Sequence, residues 1–467
     1  MRNKENKFPA PHSDFRIPDL YSNRETAFQF RGRSYNFSLS HGLFSSADID
    51  TGSRFLLKVF SGFLDHFSGK RGPGGGGAFA FDGELPFTVL DAGSGTGVLG
   101  ICAAGALSAL SGGNAPLKIR AQDRDELAKV FTEYNAAKNG LAPEIFEAHT
   151  EPLLAGPPGQ GWDLILTNIP AKAGLPVLED FIRRSAGVLK KDGLVFLVAV
   201  NTLAGFFRSR IGVASLLKEE TGREHTVFVY GRKENGGEGA CDPLIFDESF
   251  PAHYPFYFRN KNDYEMEGIT YHLDTVHGAP DFDRPGGAIE AAAKLAVKIN
   301  LAGKINPGGD FFLYEDAQGH FAVWLTHYLT MPMPSIVLSG RNILALAAAK
   351  HNLWAAKINS AVVPSAAPGN GRDFETATGC DLVAFFPETI PMNRSQTADS
   401  RETAWEGLGR LCAEGGIVIA AMGSSDAERF DRKKDPAFVR LGDVRRNGFR
   451  AIAYRKSGAG KSDAKNG

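Results

Sequence analysis

Cysteine is scarce in this sequence: Cys102, Cys241, Cys380 and Cys412 are the only four among 467 residues. None forms a C-x-x-C pair, so neither a disulfide framework nor a metal site is expected, and a reducing cytoplasm is the default setting. Long apolar runs are missing too. The longest strand-like one, LVFLVAV at 194–200, is far too short to span a membrane. The opening residues, MRNKENKFPAPHSDF, lack the apolar stretch of a secretory signal. There is no excess charge of one sign: 52 Lys and Arg stand against 53 Asp and Glu, a net charge of −1. The whole-chain charge does not announce a nucleic-acid binder, and any basic surface has to be local.

What is present fits a globular protein. Hydrophobic residues make up 43% of the chain, and the length exceeds what one core normally serves, which predicts two domains. From Phe87 to about Arg232, short apolar runs alternate with amphipathic segments. FTVLDAG, LKIRAQD, PEIFEAH, DLILTNI and LVFLVAV read as strands. VLGICAAGALSAL, DELAKVFTEYNAAKNG and VLEDFIRRSAGVLKK read as helices. This alternation predicts an α/β fold with a parallel sheet covered on both faces. Ahead of it, AFQFRGRSYNFSLS reads as an antiparallel pair and TGSRFLLKVFSGFLDHF as a helix, with GKRGPGGGG at 69–77 as a flexible connector.

The pattern then recurs. Phe28, Gly32, Tyr35, His41 and Gly42 match Tyr264, Gly268, Tyr271, His277 and Gly278 at constant spacing. Further on, AAKNGL at 136 matches AAKHNL at 348, DLILTNIP at 163 matches DLVAFFPE at 381, and KDGLVFLVAV at 191 matches EGGIVIAAM at 414. Order and approximate spacing persist, which predicts a tandem duplication rather than two unrelated α/β domains. The expected units are 1–250 (hairpin and helix over 28–68, core over 87–232), 251–458, and a basic tail at 459–467. That tail reads as solvated, with phosphate contact as the alternative. A linker is expected near Phe250–Asn262.

VLDAGSGTGVLG at 89–100 is a strand, a glycine-rich turn and a helix start. Gly93, Gly95 and Gly97 allow a tight turn and close approach of a ligand. The spacing is D-x-G-x-G-x-G, which does not fit the dinucleotide fingerprint. Asp91 suits the cationic amino-acid end of S-adenosylmethionine, which carries no phosphate. Asp123 ends the next strand; it is placed to accept ribose hydroxyls, to cap the following helix, or both. His149 and Thr150 follow the third strand, where an adenine edge would lie; simple loop polarity is the alternative. The fourth strand delivers Asn168-Ile169-Pro170-Ala171. Ligands of open parallel sheets gather at such strand ends, so one shared site is expected. Methyl transfer to an exocyclic amine needs mainly positioning. The Asn168 side-chain oxygen and the Ile169 carbonyl each accept one N–H, and Pro170 stiffens the turn.

These residues resemble class I S-adenosylmethionine-dependent methyltransferases over most of 87–232. The fit is closest to the small-domain family that makes N2-methylguanosine in ribosomal RNA. That family pairs a GVFS…D-x-G-[ST] segment with the Gly motif and Asn-Pro-Pro-aromatic. Here HGLFSSADIDTGS at 41–53 corresponds to the first of these. The resemblance implies a Rossmann-like, mostly parallel seven-stranded sheet in each copy, S-adenosylmethionine as cofactor, and ribosomal or other structured RNA as partner, with no membrane. It places Phe44, Asp50, Thr51 and Ala171 on the acceptor side. Ala171 stands where the family has a stacking aromatic, and Phe44 is the candidate replacement. The bacterial rRNA enzymes normally keep the C-terminal copy active; here the order is reversed. Asp316-Ala317-Gln318-Gly319-His320-Phe321-Ala322 stands where Asp91–Gly97 would repeat, with Phe321 expected to fill the cofactor space. No acid replaces Asp123 within LSGRN at 338–342, and Phe386 or Pro387 replaces Asn168. The second copy is therefore expected to keep the fold without binding the methyl donor, serving in packing or substrate docking. The function expected is N-methylation of guanine N2 in ribosomal RNA. A non-catalytic RNA- or ribosome-binding protein, and a methyltransferase of a protein amide or small molecule, are the rivals.

Overall fold

The structure is a computed structural model that describes residues 16–68, 85–113, 116–156, 161–212, 215–232, 250–306, 308–329, 335–367, 377–388 and 400–458. The glycine-rich connector, Cys241 and the basic tail lie outside the described residues.

The first half contains α1 (Arg16–Tyr21), β1 (Ser22–Phe30), β2 (Arg33–Ser40), α2 (Thr51–Ser68), β3 (Phe87–Ala92), α3 (Val98–Leu110), β4 (Leu117–Asp123), α4 (Glu126–Lys138), β5 (Phe146–Thr150), β6 (Trp162–Asn168), α5 (Leu175–Ser185), β7 (Leu189–Val200), α6 (Ala204–Ile211), β8 (Leu216–Thr221) and β9 (His225–Gly231). The second continues with α7 (Phe250–His253), β10 (Phe258–Met266), β11 (Ile269–Val276), α8 (Gly287–Lys298), β12 (Phe311–Tyr314), α9 (His320–Leu329), β13 (Ile336–Gly340), α10 (Ile343–Ala355), β14 (Ser360–Pro364), β15 (Cys380–Phe385), a helix at Ser400–Leu411, β16 (Cys412–Gly423), a helix at Ser424–Asp431, β17 (Phe438–Arg446) and β18 (Phe449–Lys456).

Two seven-stranded sheets result, ordered β5-β4-β3-β6-β7-β9-β8 and β14-β13-β12-β15-β16-β18-β17. The orders are identical once the halves are superposed. In each sheet five strands run parallel and the last two join antiparallel. The strand order reverses beside β3 and β12, which opens a crevice at their C-terminal ends. The expected α/β duplication is present in full. Hairpins β1-β2 and β10-β11 even share the same register and the same bulge near their outer ends. β7 and β16 share one burial pattern, with a polar start followed by a run buried on both faces.

Three expectations change. Phe250–Asn262 is no loose linker: Phe250, Tyr254 and Tyr257 are buried in an apolar cluster, and β10 already begins at Phe258. The aromatics drive that burial. The predicted helix 177–191 stops at Ser185, and its GVLKK end enters β7. The match of AAKNGL with AAKHNL is out of frame. Asn135 bonds the backbone of Ser38 and Thr96, and Asn352 bonds that of Asp274 and Gln318 in the same way, so these two asparagines are the true pair.

The halves pack through an approximate twofold arrangement. The Glu126 amide donates to the Arg341 carbonyl at 2.9 Å, and the Ile343 amide donates to the Arg124 carbonyl at 2.9 Å. Leu344, Ala345 and Val276 of the second half share one apolar cluster with Ile169, Ala173 and Val177 of the first. Helix α1 packs its Ile17, Leu20 and Tyr21 with Leu127 and Phe131 of α4 and with Ala366 beyond β14.

Candidate active site

The glycine turn leaves β3 with Gly93, Gly95 and Gly97 at φ of 79°, 57° and 84°, a left-handed conformation that side chains resist. A Cβ at Gly95 would project into open space, and one at Gly93 would meet only Leu153, at 3.9 Å. The turn is therefore a bare backbone cradle facing the crevice. Its polar groups are tied from behind. The Gly93 and Ser94 amides donate to the Gln122 carbonyl, Thr132 Oγ1 donates to Gly95 O, and Asn135 Nδ2 donates to Thr96 O.

Asp91 lies under this turn and is fully buried. Its Oδ2 accepts the Gly100 amide at 2.7 Å, which fixes the first turn of α3, and its buried Oδ1 has no protein partner. Burial pushes its carboxyl up to about 7, with the nearby Asp123 charge adding to the shift. Asp123 Oδ2 accepts the Gly95 amide at 3.0 Å and Oδ1 accepts the Asp125 amide at 3.1 Å. The α4 cap is Asp125, which accepts the Leu127 amide. Asp123 thus braces the glycine turn, and burial raises its carboxyl above the usual range. Thr150 sits opposite Asp123 across β4 and β5, and its hydroxyl bonds Glu126 at the start of α4. His149 turns along the strand to Glu147 at 3.2 Å, and burial lowers its imidazole.

Asn168 ends β6 and is held on one side only. Its Nδ2 donates to both Asp50 oxygens at 3.0 Å and to Ser53 Oγ at 3.1 Å. That arrangement commits the nitrogen and leaves Oδ1 as the acceptor of the side chain. Asp50 is also the N-cap of α2, accepting the Gly52 amide at 2.8 Å and the Ser53 amide at 3.2 Å. Asp50 therefore orients Asn168, a role the sequence did not show, and Ser53 was missed altogether. Thr51 is the exposed first residue of α2. Ile169 is buried, Pro170 holds φ −71° and ψ 135°, and Ala171 is exposed. Phe44, on the loop that leads to Asp50, is 73% exposed, and Leu175, just past the turn, is 53% exposed. Leu175 was not singled out either; an apolar residue opening a helix after Gly174 was its only signal.

The second half keeps only one of the glycines and none of the acids or the asparagine at these positions. Sheet register pairs Tyr314 with Ser339 as it pairs Ala92 with Gln122, so Glu315 replaces Gly93, Ala317 replaces Gly95 and Gly319 alone matches Gly97. The expected frame, which put Asp316 opposite Asp91, is therefore shifted. Phe321 does not fill the crevice; it lies buried on α9 against Trp324 and Phe386. Glu315 stands in the turn instead, half-buried, with its carboxyl raised to about 7 by burial against the pull of Arg341. Gly340 takes the place of Asp123 and Phe386 that of Asn168.

Residues 79–222 match the family model of the methyltransferase small domain. The uncharacterised protein YbxB of Bacillus subtilis is 27% identical over 183 residues, covering 39% of this chain and 77% of that protein. A 16S rRNA guanine N2 methyltransferase of T. thermophilus, solved with AdoMet and guanosine, superposes with a TM-score of 0.54. That match covers 94% of this chain and 99% of the other at 14% identity, and at that identity it carries the fold.

Proposed function

We propose, from the premise that residues 79–222 make this chain a class I methyltransferase of the small-domain family, that it methylates an exocyclic amine, with guanine N2 of ribosomal RNA as the acceptor. The single observation that carries the reading is the orientation of Asn168, whose amide nitrogen is spent on Asp50 and Ser53.

S-adenosylmethionine is the cofactor proposed, and the residues fit it. The glycine turn is bare, the ribose-side Asp123 lies beside it, and a buried Asp91 oxygen is unpartnered below. When bound it supplies an activated methyl group. Gly93, Gly95, Gly97, Asp91 and Asp123 would hold it, with His149 and Thr150 at the end of the next strand. Asn168 Oδ1 and the Ile169 carbonyl then take one N–H each from the acceptor amine. Those two bonds turn the nitrogen lone pair toward the methyl group, so the gain is in orientation and electrostatics. The proton shed as the C–N bond forms leaves to solvent, since an amide and a peptide carbonyl are poor bases. Phe44 supplies the stacking face that Ala171 lacks. Lys172, exposed beside Ala171, offers a local cation to phosphate. Among the described residues no helix is long and apolar enough to cross a membrane. The setting proposed is the cytoplasm, where ribosomal RNA is met. The first half is the catalytic domain, and the second has lost the glycine cradle, the ribose acid and the asparagine together.

Nucleoside mass spectrometry of ribosomal RNA from cells with and without the protein tests the substrate: a methylated guanosine should vanish in its absence. No change in any nucleoside defeats the rRNA assignment. Asn168→Ala should lower kcat by about 100-fold or more while the cofactor Kd moves about twofold at most.

A further inference from the structure

The second half does more than fill space, because it reaches three loops of the candidate site. The imidazole of His277 lies so close to Gly174, at the end of the catalytic turn, that a Cβ there would meet Nδ1 at 2.5 Å. The other two loops are joined by one side chain, Arg341. Its guanidinium is buried, with 8% side-chain exposure. Nε donates to Asp125 Oδ1 at 3.1 Å, and Nη2 donates to Asp125 Oδ2 at 2.6 Å. Nη2 also donates to the Gly42 carbonyl at 2.6 Å.

The two partners sit on opposite sides of the site. Asp125 caps α4 and donates its own amide to Asp123, the ribose-side acid. Gly42 opens the loop that runs through Phe44 to Asp50, which holds Asn168. A planar, permanently charged fork can hold both in fixed geometry, where a lysine could not. The brace has its own support, because the Arg341 amide donates to Glu315 Oε1 at 2.6 Å. Glu315 and Arg341 occupy the positions that Gly93 and Arg124 hold in the first half. The dead cofactor loops of the second half are thus the parts that grip the living ones. The reverse contact is built differently: Arg124 Nη1 lies beside Gly278, where a Cβ would meet it at 3.1 Å, but the residue matching Asp125 is Asn342, whose Nδ2 bonds the Gly278 carbonyl at 2.8 Å.

We propose that Arg341 is a positioning residue that couples cofactor binding at the Asp123 loop to ordering of the acceptor loop 41–50. This rests on the cofactor reading above. The test is hydrogen exchange of the full chain with and without S-adenosylmethionine, following peptides over 93–97 and 41–50. In the wild type, both should become protected. In Arg341→Lys, protection of 93–97 should survive while that of 41–50 is lost, and the cofactor Kd should rise roughly tenfold. Gly42→Ala is the second variant, since a Cβ there would meet Arg341 Nη1 at 3.0 Å and Leu127 at 3.1 Å with every charge kept. It should uncouple the loops in the same way, at a melting temperature close to wild type. Protection of 41–50 that persists in both variants overturns the coupling. Protection of 93–97 without 41–50 in the wild type does so as well. No protection of either in the wild type defeats the cofactor reading and this inference with it.

Discussion

Replacing Asp50 with asparagine separates two tasks that one carboxylate performs. The native Oδ1 accepts the Gly52 and Ser53 amides at the start of α2, and both carboxylate oxygens accept Asn168 Nδ2. Asparagine is about as good an N-cap as aspartate, so α2 should lose only a few tenths of a kcal/mol. With its one oxygen kept at the cap, its NH2 takes the place of Oδ2 beside Asn168 Nδ2. Those two donors cannot pair, so one of the two bonds and the charge behind it are lost, and the Asn168 amide is no longer held in a single orientation. The bond lost is one to a charged acceptor, about 1.5–3 kcal/mol. At roughly 1.4 kcal/mol per decade, kcat should fall about 10- to 100-fold. The cofactor Kd, measured by calorimetry, should stay put because Asp50 touches no part of the glycine turn. The melting temperature should move by only about 2 °C. Methyl-transfer rates at saturating cofactor provide the assay. A kcat within twofold of wild type, or a Kd change as large as the kcat change, would refute the reasoning.

Other outcomes follow from the same geometry. Phe44→Ala should raise the acceptor KM about tenfold or more, the loss of one stacked base, with no change in melting because the ring is 73% exposed. Asn135→Ala and Asn352→Ala should each cost about 2–5 kcal/mol in denaturant titrations, since each strands buried backbone groups of a hairpin and a turn. Asn135→Ala alone should also weaken cofactor binding, because the turn it releases is the bare one. Asp316 accepts the Phe321 and Ala322 amides, and burial raises its carboxyl to about 7. A folded value above the unfolded one, about 3.9, means stability is full below that lower value and is lost as pH rises through about 7. The stability advantage of wild type over Asp316→Asn should therefore shrink between about pH 4 and pH 7 in melts across that range. A constant gap would show that Asp316 is ionised throughout.

Much of the fold could be read because its signals are local. Apolar runs of strand length, the glycine ladder and the Gly32/Gly268 hairpin turns each announce themselves within a few residues. β8 and β9 were not read, for β8 is short and amphipathic and acquires meaning only beside β9. The frame of the second glycine turn was misread for a physical reason. Asp91 and Asp316 both receive the amide at one equivalent point of the following helix, Gly100 or Ala322, yet they reach it from different places in the turn. Like chemistry masked unlike position. The Asn168 side of the site was legible as a motif, but its partner lies 118 residues away in sequence, and no pattern links such distant positions. Arg341 was invisible for the same reason, its contact with Asp125 spanning 216 residues.

The paired bonds from Glu126 to Arg341 and from Ile343 to Arg124 have the form of an isologous dimer interface drawn within one polypeptide. Between identical subunits every interface substitution appears twice, so with an arginine in both loops the acid it grips could not be exchanged in one copy alone. Covalent fusion removes that constraint. One copy of the loop kept Asp123 and Asp125, and the other was free to become Gly340 and Asn342 around a load-carrying arginine. Asymmetry of this kind is open to a fused pair and closed to a homodimer, and it gives the second half a sequence of its own to maintain.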